Sequence, residues 1–232
     1  MNNLFNNVYC INLKEDKKKW DRSKSFLEEY NIRYKRFNAV KYGLKDEDLT
    51  KKEKASAGNL LSHYALLVKA FENKNENVFV FEDDFKMTLP FKEIFDILNK
   101  IESELPLDYD LFFLGTRIIK DSVFIGREAP KVTPYSENLH KIECSLTTHA
   151  VLYSKKGIEK ILKKLIIYDH KSLSRYIKEY FSIDWFYARE IMPISDCYTP
   201  KKCLCSQYDG YSSTNDQFTR ADKLIQESYK NI

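Results

Sequence analysis

Apolar positions along the chain come in two forms, short dense runs and longer stripes of helical period, and their alternation sketches an α/β protein. Val8-Tyr9-Cys10-Ile11-Asn12-Leu13 reads as a first strand. Asp16 is placed to cap a helix running to about Tyr30, with Trp20, Ser23, Phe26, Leu27 and Tyr30 on one side and Arg22 on the flank of that face. Residues 32–40 return as a second strand around Tyr34 and Phe37, which opens a βαβ unit. The polar stretch 41–54 reads as a loop with room for one helical turn. A helix then starts at Ser56 or Ala57, and Leu60, Leu61, Tyr64, Leu67, Val68 and Phe71 mark its apolar stripe. On a 3.6-residue wheel His63 lies about 100° from the centre of that stripe, at the core boundary, and Ser62 points further out. A histidine at such a boundary is an ordinary structural hydrogen-bonder, and a place near a ligand is the alternative.

Val78-Phe79-Val80-Phe81 is a run of β-branched and aromatic residues, the pattern of a strand buried on both faces. Glu82-Asp83-Asp84 follows at its C-terminal end, where open α/β sheets bind ligands. Three adjacent carboxylates repel one another, and burying one unpaired is costly. A divalent cation with oxygen ligands, Mg²⁺ or Mn²⁺, resolves that conflict, taking the rest of its shell from a phosphate-bearing ligand. A solvated acidic turn is the plainer reading. In an extended segment Glu82 and Asp84 project to one side and Asp83 to the other, which makes Asp84 the expected direct metal ligand. Glu82 and Asp83 would then assist through water, a ribose or the surrounding shell.

Further on, Pro90 suits the first turn of a helix with Phe91, Ile94, Phe95, Leu98 and Ile101 on its buried side. Residues 109–115 form another buried strand ending in Gly115, where backbone or ligand can approach closely, and Arg117 beyond it is placed to meet a phosphate or a surface carboxylate. Residues 122–134 read as a short hairpin or an irregular excursion. Residues 147–153 are a late strand, and Ser154 caps an amphipathic helix with Ile158, Ile161, Leu162, Leu165 and Ile166 inside. Another helix runs through Leu173, Ile177 and Phe181, and Ile183-Asp184-Trp185-Phe186 begins a last one, for which Asp184 is a natural N-cap. Residues 198–215, with Pro200, Gln207, Gly210, Ser212, Ser213 and Thr214, are polar and aperiodic, as an active-site flap or surface loop would be.

The 232 residues suffice for one large α/β domain or two small ones, and only six Gly and six Pro argue against long linkers. A net charge of +4 fits anionic small molecules, but the charges are too mixed to argue for nucleic acid. The five cysteines (10, 144, 197, 203 and 205) have neither a disulfide framework nor zinc-site spacing, so reduced thiols and a reducing compartment are expected. A polar N-terminus without a secretory core, and no run long enough to span a membrane, point to the cytoplasm.

The order of the motifs resembles glycosyltransferase family 25, which includes lipooligosaccharide and procollagen galactosyltransferases. The resemblance covers most of the chain. It rests on Ile11-Asn12-Leu13 with Arg22, on Phe37-Asn38-Ala39-Val40, on Gly58-Asn59-Leu60-Leu61-Ser62-His63, and on Phe81-Glu82-Asp83-Asp84. Thr148-His149-Ala150 with Ser154 and Gly157, Ile183-Asp184-Trp185, and Pro200 with Gln207 complete the series. Asn59 stands where the family usually has Cys, Ser56 where it usually has Glu, and Val151 where Tyr is common.

The resemblance implies a GT-A type single Rossmann-like domain with a mixed central β-sheet flanked by helices. Its nucleotide-sugar-binding half would be about residues 1–115 and its acceptor-side half about 116–232. It also implies inverting transfer of a hexose, galactose or glucose type, from a UDP-sugar to a glycan or hydroxylysine-type hydroxyl, with Mn²⁺ or Mg²⁺ at a DxD-like acidic motif. It places Asn12, Leu13, Arg22, Ser62, His63, Phe81, Glu82, Asp83, Asp84, His149 and Gln207 in the donor site. Asp84, Glu82, Asp83 and His149 would form the metal site, with a satisfied core histidine as the competing reading of His149. An inverting transfer needs a base on the acceptor side. Asp184 beside Trp185 is the first candidate against the helix-cap reading, with Asp121 and Asp110 behind it. A metal-dependent phosphodiesterase or nuclease, and a non-catalytic glycan- or nucleotide-binding relative, are the competing functions.

Overall fold

The computed structural model describes residues 3–43, 49–121, 128–212, 217–230 and 232. In chain order the strands are β1 (Val8–Asn12), β2 (Lys35–Asn38), β3 (Asn77–Glu82), β4 (Phe85–Met87), β5 (Leu111–Phe113), β6 (Arg117–Ile118) and β7 (Val132–Pro134). They continue with β8 (Leu139–Ile142), β9 (Ser145–Leu146), β10 (Ala150–Ser154), β11 (Cys197–Pro200), β12 (Cys205–Gln207), β13 (Gly210–Ser212) and β14 (Gln217–Thr219). The helices are α1 (Lys17–Glu29), α2 (Lys51–Glu72), α3 (Phe91–Glu104), α4 (Lys155–Lys164), α5 (His170–Tyr180), α6 (Ile183–Phe186) and α7 (Ala221–Lys230).

The expected mixed central sheet flanked by helices is present. Eight strands lie in the order β2-β1-β3-β10-β5-β11-β8-β7. β1 is parallel to β2 and β3, whereas β10 is antiparallel to β3 and β5. The three parallel strands therefore end along one edge, and the chain leaving each of them must turn there.

β3 shows why the sheet is buried on both faces. Its side chains alternate, so Val78 and Val80 join a core with Leu60 and Leu67 of α2, Ile158 and Ile161 of α4, and Phe186 of α6. Phe79 and Phe81 join the opposite core with Leu27 of α1, Ile94 and Leu98 of α3, and Phe85 of β4. Each of these four β3 residues is fully buried, a contribution of about 1.5–3 kcal/mol apiece. Among the described residues no helix is long and apolar enough to cross a membrane. All five cysteines are buried and unbridged.

Several local expectations hold. Asp16 caps α1 by accepting from Lys19 N, and Ser154 caps α4 by accepting from Gly157 N. Others are corrected. α2 begins at Lys51 because Thr50 and Glu53 form a reciprocal capping box, which recruits part of the expected loop into the first turn; residues 44–48 of that loop lie outside the described residues. Its buried face is also rotated: Ser62 and His63 are fully buried, whereas Leu61, Tyr64 and Val68 are half-buried and Phe71 is exposed. The buried polar pair has hydrogen-bond partners inside, which offsets the cost of desolvation. Phe91 and Phe95 of α3 and Ile166 beyond α4 are likewise exposed.

The expected second and late strands shorten to β2 and β10. Of the excursion at 122–134, residues 128–134 include the edge strand β7, and 122–127 lie outside the described residues. The tail expected as a loop contains β11, which enters the main sheet, β12, which pairs with β4, and β13 paired with β14. α7 follows it. Ser213 and Thr214 fall outside the described residues.

Candidate active site

A cavity of about 1120 Å³ opens at the C-terminal ends of β1, β2 and β3. Its walls come from the ends of those strands, α1, the first half of α2, the segment 146–148, α6 and the chain around Gln207. Asn12, Leu13, Arg22, Ser62, Glu82, Asp83, Asp84, Asp184 and Gln207 all line it. Phe81, His63 and His149 do not.

The acidic triplet is not an extended strip. β3 stops at Glu82, Asp83 and Asp84 form a turn, and β4 departs to pair with β12. The alternation that was to put Glu82 and Asp84 on one side is therefore broken, and each carboxylate meets a different wall. Glu82 Oε1 accepts from Thr148 Oγ1 at 2.6 Å and lies 3.1 Å from His63 Nε2. Its Oε2 accepts from Asn59 Nδ2 at 3.4 Å. Burial works to raise the Glu82 carboxyl, but the hydrogen bond and charge of His63, with Thr148, hold it down at about 2.

Asp83 turns towards β1 and α1. Its Oδ2 accepts from Asn12 Nδ2 at 2.6 Å, and its Oδ1 lies 3.5 Å from Lys19 Nζ. Its backbone carbonyl accepts from Arg22 Nη2 at 3.1 Å and Ser23 Oγ at 3.0 Å, which pins the turn to α1. Burial raises the Asp83 carboxyl, against the pull of Lys19 and Asn12. Burial lowers Lys19, but the Asp83 and Asp84 charges outweigh it and keep the ammonium charged. Arg36 holds Asn12 Oδ1 from the other side and stacks on Trp20.

Asp84 is different. Among the described residues its carboxylate accepts only the Gln207 side-chain amide, at 3.2 and 3.3 Å to its two oxygens. Tyr208 N donates to the Asp84 carbonyl at 2.8 Å, and the Arg22 guanidinium lies 4.0 Å over the Tyr208 ring. Burial pushes the Asp84 carboxyl up, the Glu82 and Asp83 charges add to this, and Lys19 and Gln207 do not cancel it; it lies at about 7. A carboxylate so poorly compensated, facing a cavity, suits a divalent cation that takes most of its ligands from a bound molecule. A cage of three protein carboxylates does not form, and among the described residues no cluster of three His, Cys, Asp or Glu side chains gathers to hold an ion.

His149 does not join Asp84. It is fully buried, with Nε2 3.3 Å from the Cys205 carbonyl and Nδ1 3.2 Å from Thr147 Oγ1. Burial lowers its pKa to about 4, so the ring is neutral and both nitrogens are occupied within the protein. Phe81 is in the core, stacked on Phe79 and tilted against Phe85. Ser62 accepts from Val40 N at 2.8 Å and donates to Gly58 O at 2.6 Å, so its hydroxyl ties α2 to the end of the second strand segment.

On another wall, Asp184 sits in the first turn of α6, but the N-cap is Ser182. The Asp184 side chain serves tertiary structure: Oδ2 accepts from Thr147 N at 3.1 Å, and Oδ1 accepts from Trp185 N at 3.0 Å and from Ser182 Oγ. Thr147 has φ 81°, a left-handed conformation uncommon for a β-branched residue, and the Asp184 contact stabilises it. Asp110 is excluded from this region. It is fully buried, 2.6 Å from Lys160 Nζ, and accepts from Asp196 N at 2.7 Å. Asp121 is exposed outside the cavity wall.

Sequence reasoning missed Asn59, Thr148, Lys19 and Tyr208 as parts of this wall. Asn59 had a signal, since it is four residues before His63 and so shares its helical face. The others become visible only once the turn at Asp83 is known.

The chain matches the family model described as glycosyltransferase family 25 (LPS biosynthesis protein) over residues 5–163. It is 28% identical over 179 residues to procollagen galactosyltransferase 1-A of Xenopus laevis, covering 68% of this chain and 28% of that protein. It is 26% identical over 180 residues to procollagen galactosyltransferase 2 of Homo sapiens, covering 68% and 27%. The chain thus spans less than a third of the length of these relatives. Among solved structures it resembles, at 8% identity and TM-score 0.35, a glycosyltransferase involved in glycosylation of the major capsid of PBCV-1, over 84% of this chain and 92% of that one. It also resembles mouse xyloside xylosyltransferase 1, at 12% identity and TM-score 0.32, over 80% and 64%.

Proposed function

The chain belongs to glycosyltransferase family 25, and from that premise we propose that it moves a hexose, galactose or glucose type, from a UDP-sugar to a hydroxyl of a glycan or protein acceptor with inversion. The observation that carries this reading is one cavity lined by an acidic turn with Lys19 and Arg22 on one side and by Asp184 with Trp185 on another. Lys19 and Arg22 of α1 would face the diphosphate, and Tyr208 stacked on Arg22 would keep that guanidinium in place. Asp84 would hold a divalent cation, Mn²⁺ or Mg²⁺, whose charge offsets that of the departing diphosphate. Asn12, held by Arg36, and Lys19 act on Asp83 and so would set the turn that aims Asp84.

Asp184 would accept the proton of the acceptor hydroxyl as that oxygen attacks the anomeric carbon opposite the leaving diphosphate. Three accepted hydrogen bonds fix its orientation and leave lone-pair capacity for a fourth. Trp185 offers a flat face for a sugar ring. The five buried, unbridged cysteines suit a reducing compartment such as the cytoplasm. A phosphodiesterase would need carboxylates converging on two ions, and Glu82 and Asp83 are engaged elsewhere.

The test is calorimetric titration of a panel of nucleotide-sugars with Mn²⁺ and then with EDTA, on the wild type and Asp84→Asn. Metal-dependent binding of one UDP-sugar, lost in the variant, is the expected result. Absence of binding by the wild type with metal present overturns the reading.

A further inference from the structure

We propose that Asn59 is a specificity-determining residue whose side-chain amide, together with Oε2 of Glu82, reads a pair of adjacent hydroxyl groups on the ligand. This rests on the nucleotide-sugar reading above and names which part of the ligand one wall of the cavity recognises.

Asn59 and His63 are one helical turn apart on α2 and grip the two oxygens of one carboxylate. His63 Nε2 is 3.1 Å from Glu82 Oε1, and Asn59 Nδ2 is 3.4 Å from Oε2. Thr148 Oγ1 adds a second bond to Oε1 at 2.6 Å, so that oxygen is occupied and turned inward. His63 is backed by the Tyr153 hydroxyl, 3.5 Å from Nδ1, and both residues are fully buried. Among the described residues Oε2 has one long bond, from Asn59, and Glu82 and the half-buried Asn59 both line the cavity.

α2 is not free to drift from this position. A Cβ on Gly58 would stand 2.6 Å from the Val40 carbonyl oxygen, so helix and strand end are as close as a glycine permits. Ser62 binds Val40 N and Gly58 O across the same contact. The amide and the carboxylate oxygen are therefore presented as a fixed pair.

The pair has the chemistry of hydroxyl recognition. Glu82 Oε2 accepts, and the Asn59 amide both donates and accepts. A vicinal diol, in which each hydroxyl does both, matches that combination. A carboxylate and an amide oxygen side by side favour hydroxyl donors over the acceptor oxygens of a phosphate. Two parts of a nucleotide-sugar carry such a diol, the hexose and the ribose. A site built to hydrogen-bond a hydroxyl discriminates against analogues that lack it or turn it away.

The test is calorimetry with Mn²⁺ on wild type, Asn59→Ala and Asn59→Asp, using UDP, 2′-deoxy-UDP, UDP-galactose and UDP-glucose. Alanine suits a helix, and Asp keeps the shape while replacing the N–H donor by an acceptor beside Glu82. If the hexose is read, both variants bind UDP-galactose or UDP-glucose about tenfold more weakly while UDP binding is unchanged. If the ribose is read, the preference for UDP over 2′-deoxy-UDP shrinks by about the same factor in both variants. Either result supports the proposal. Variants that bind the UDP-sugars as tightly as wild type and keep the wild-type preference for UDP over 2′-deoxy-UDP overturn it while leaving the glycosyltransferase reading intact. A wild type that binds none of the four ligands overturns that reading, and the inference with it.

Discussion

Gly115→Ala is the sharpest perturbation that the fold offers. Gly115 follows β5, and a Cβ built there would lie 1.7 Å from the carbonyl oxygen of Cys205, 2.7 Å from its carbonyl carbon and 3.1 Å from its nitrogen. Contacts below 3.0 Å are not tolerated, so one backbone must move by more than an ångström. Neither strand has slack. Leu114 N is bonded to Ala150 O, Leu204 N to Leu114 O, and the Cys205 carbonyl also receives His149. Inserting one methyl into a tight core contact costs about 1–3 kcal/mol, and a clash with backbone belongs at the upper end. The displacement also travels to Gln207, two residues along β12, which is the side-chain hydrogen-bond donor to Asp84. Urea denaturation should show a midpoint lowered by an amount equivalent to about 3 kcal/mol with the slope unchanged. Nucleotide-sugar affinity should fall in the fraction that remains folded. Gly43→Ala is the control, because nothing lies within 4 Å of its added Cβ, and it should stay within about 0.5 kcal/mol of wild type. A Gly115→Ala protein with wild-type stability would refute the reasoning, since the close approach would then not exist.

Asp184→Asn is expected to keep donor binding by calorimetry and to lose transfer to any acceptor that the wild type uses; normal transfer would remove Asp184 from the role of base. Asp84→Asn should change the pH dependence of stability in the metal-free protein. The folded pKa of Asp84, about 7, lies above the value for an unfolded chain, so its contribution to stability is full below about pH 4 and is lost as pH rises to about 7. The Asn variant lacks that loss, so its advantage over wild type in urea should widen by about 1–3 kcal/mol between pH 5 and pH 8, and a constant gap would contradict the assignment. Asp110→Ala leaves the Asp196 backbone N–H without its acceptor and Lys160 with, among the described residues, only the Ile194 carbonyl, which should cost about 1–3 kcal/mol in chemical denaturation. The same variant should bind nucleotide-sugar as tightly as wild type, and loss of binding in a folded Asp110→Ala protein would show that the residue is not merely structural.

The parts of the fold legible in the sequence are those fixed by local rules. The run 78–81 announces a doubly buried strand because its four side chains must face two cores, and they do. Asp16 and Ser154 announce helix starts because a short polar side chain before an apolar stripe has backbone N–H groups to accept from. Thr50 and Glu53 carried the same kind of signal, and the polar run around them concealed it. What sequence spacing does not give is the direction of a side chain after a turn.

The acidic triplet shows the consequence. Read as an extended segment, three neighbouring carboxylates are one negative cluster. The turn at Asp83 and Asp84 separates them into a carboxylate held by His63 and Thr148, one held by Asn12 and Lys19, and one left facing the cavity. Each of the first two is stabilised by partners 19 to 71 residues distant in sequence, and these partners cannot be assigned without the sheet order that brings β1, β3 and β10 together. Burial raises the third, and the charges of the first two add to it. The cation role proposed for Asp84 therefore rests on how the tertiary structure partners its two neighbours, and not on the motif alone. His149 makes the complementary point: it is close to the motif in the fold, but burial holds it neutral and two hydrogen bonds hold it turned away.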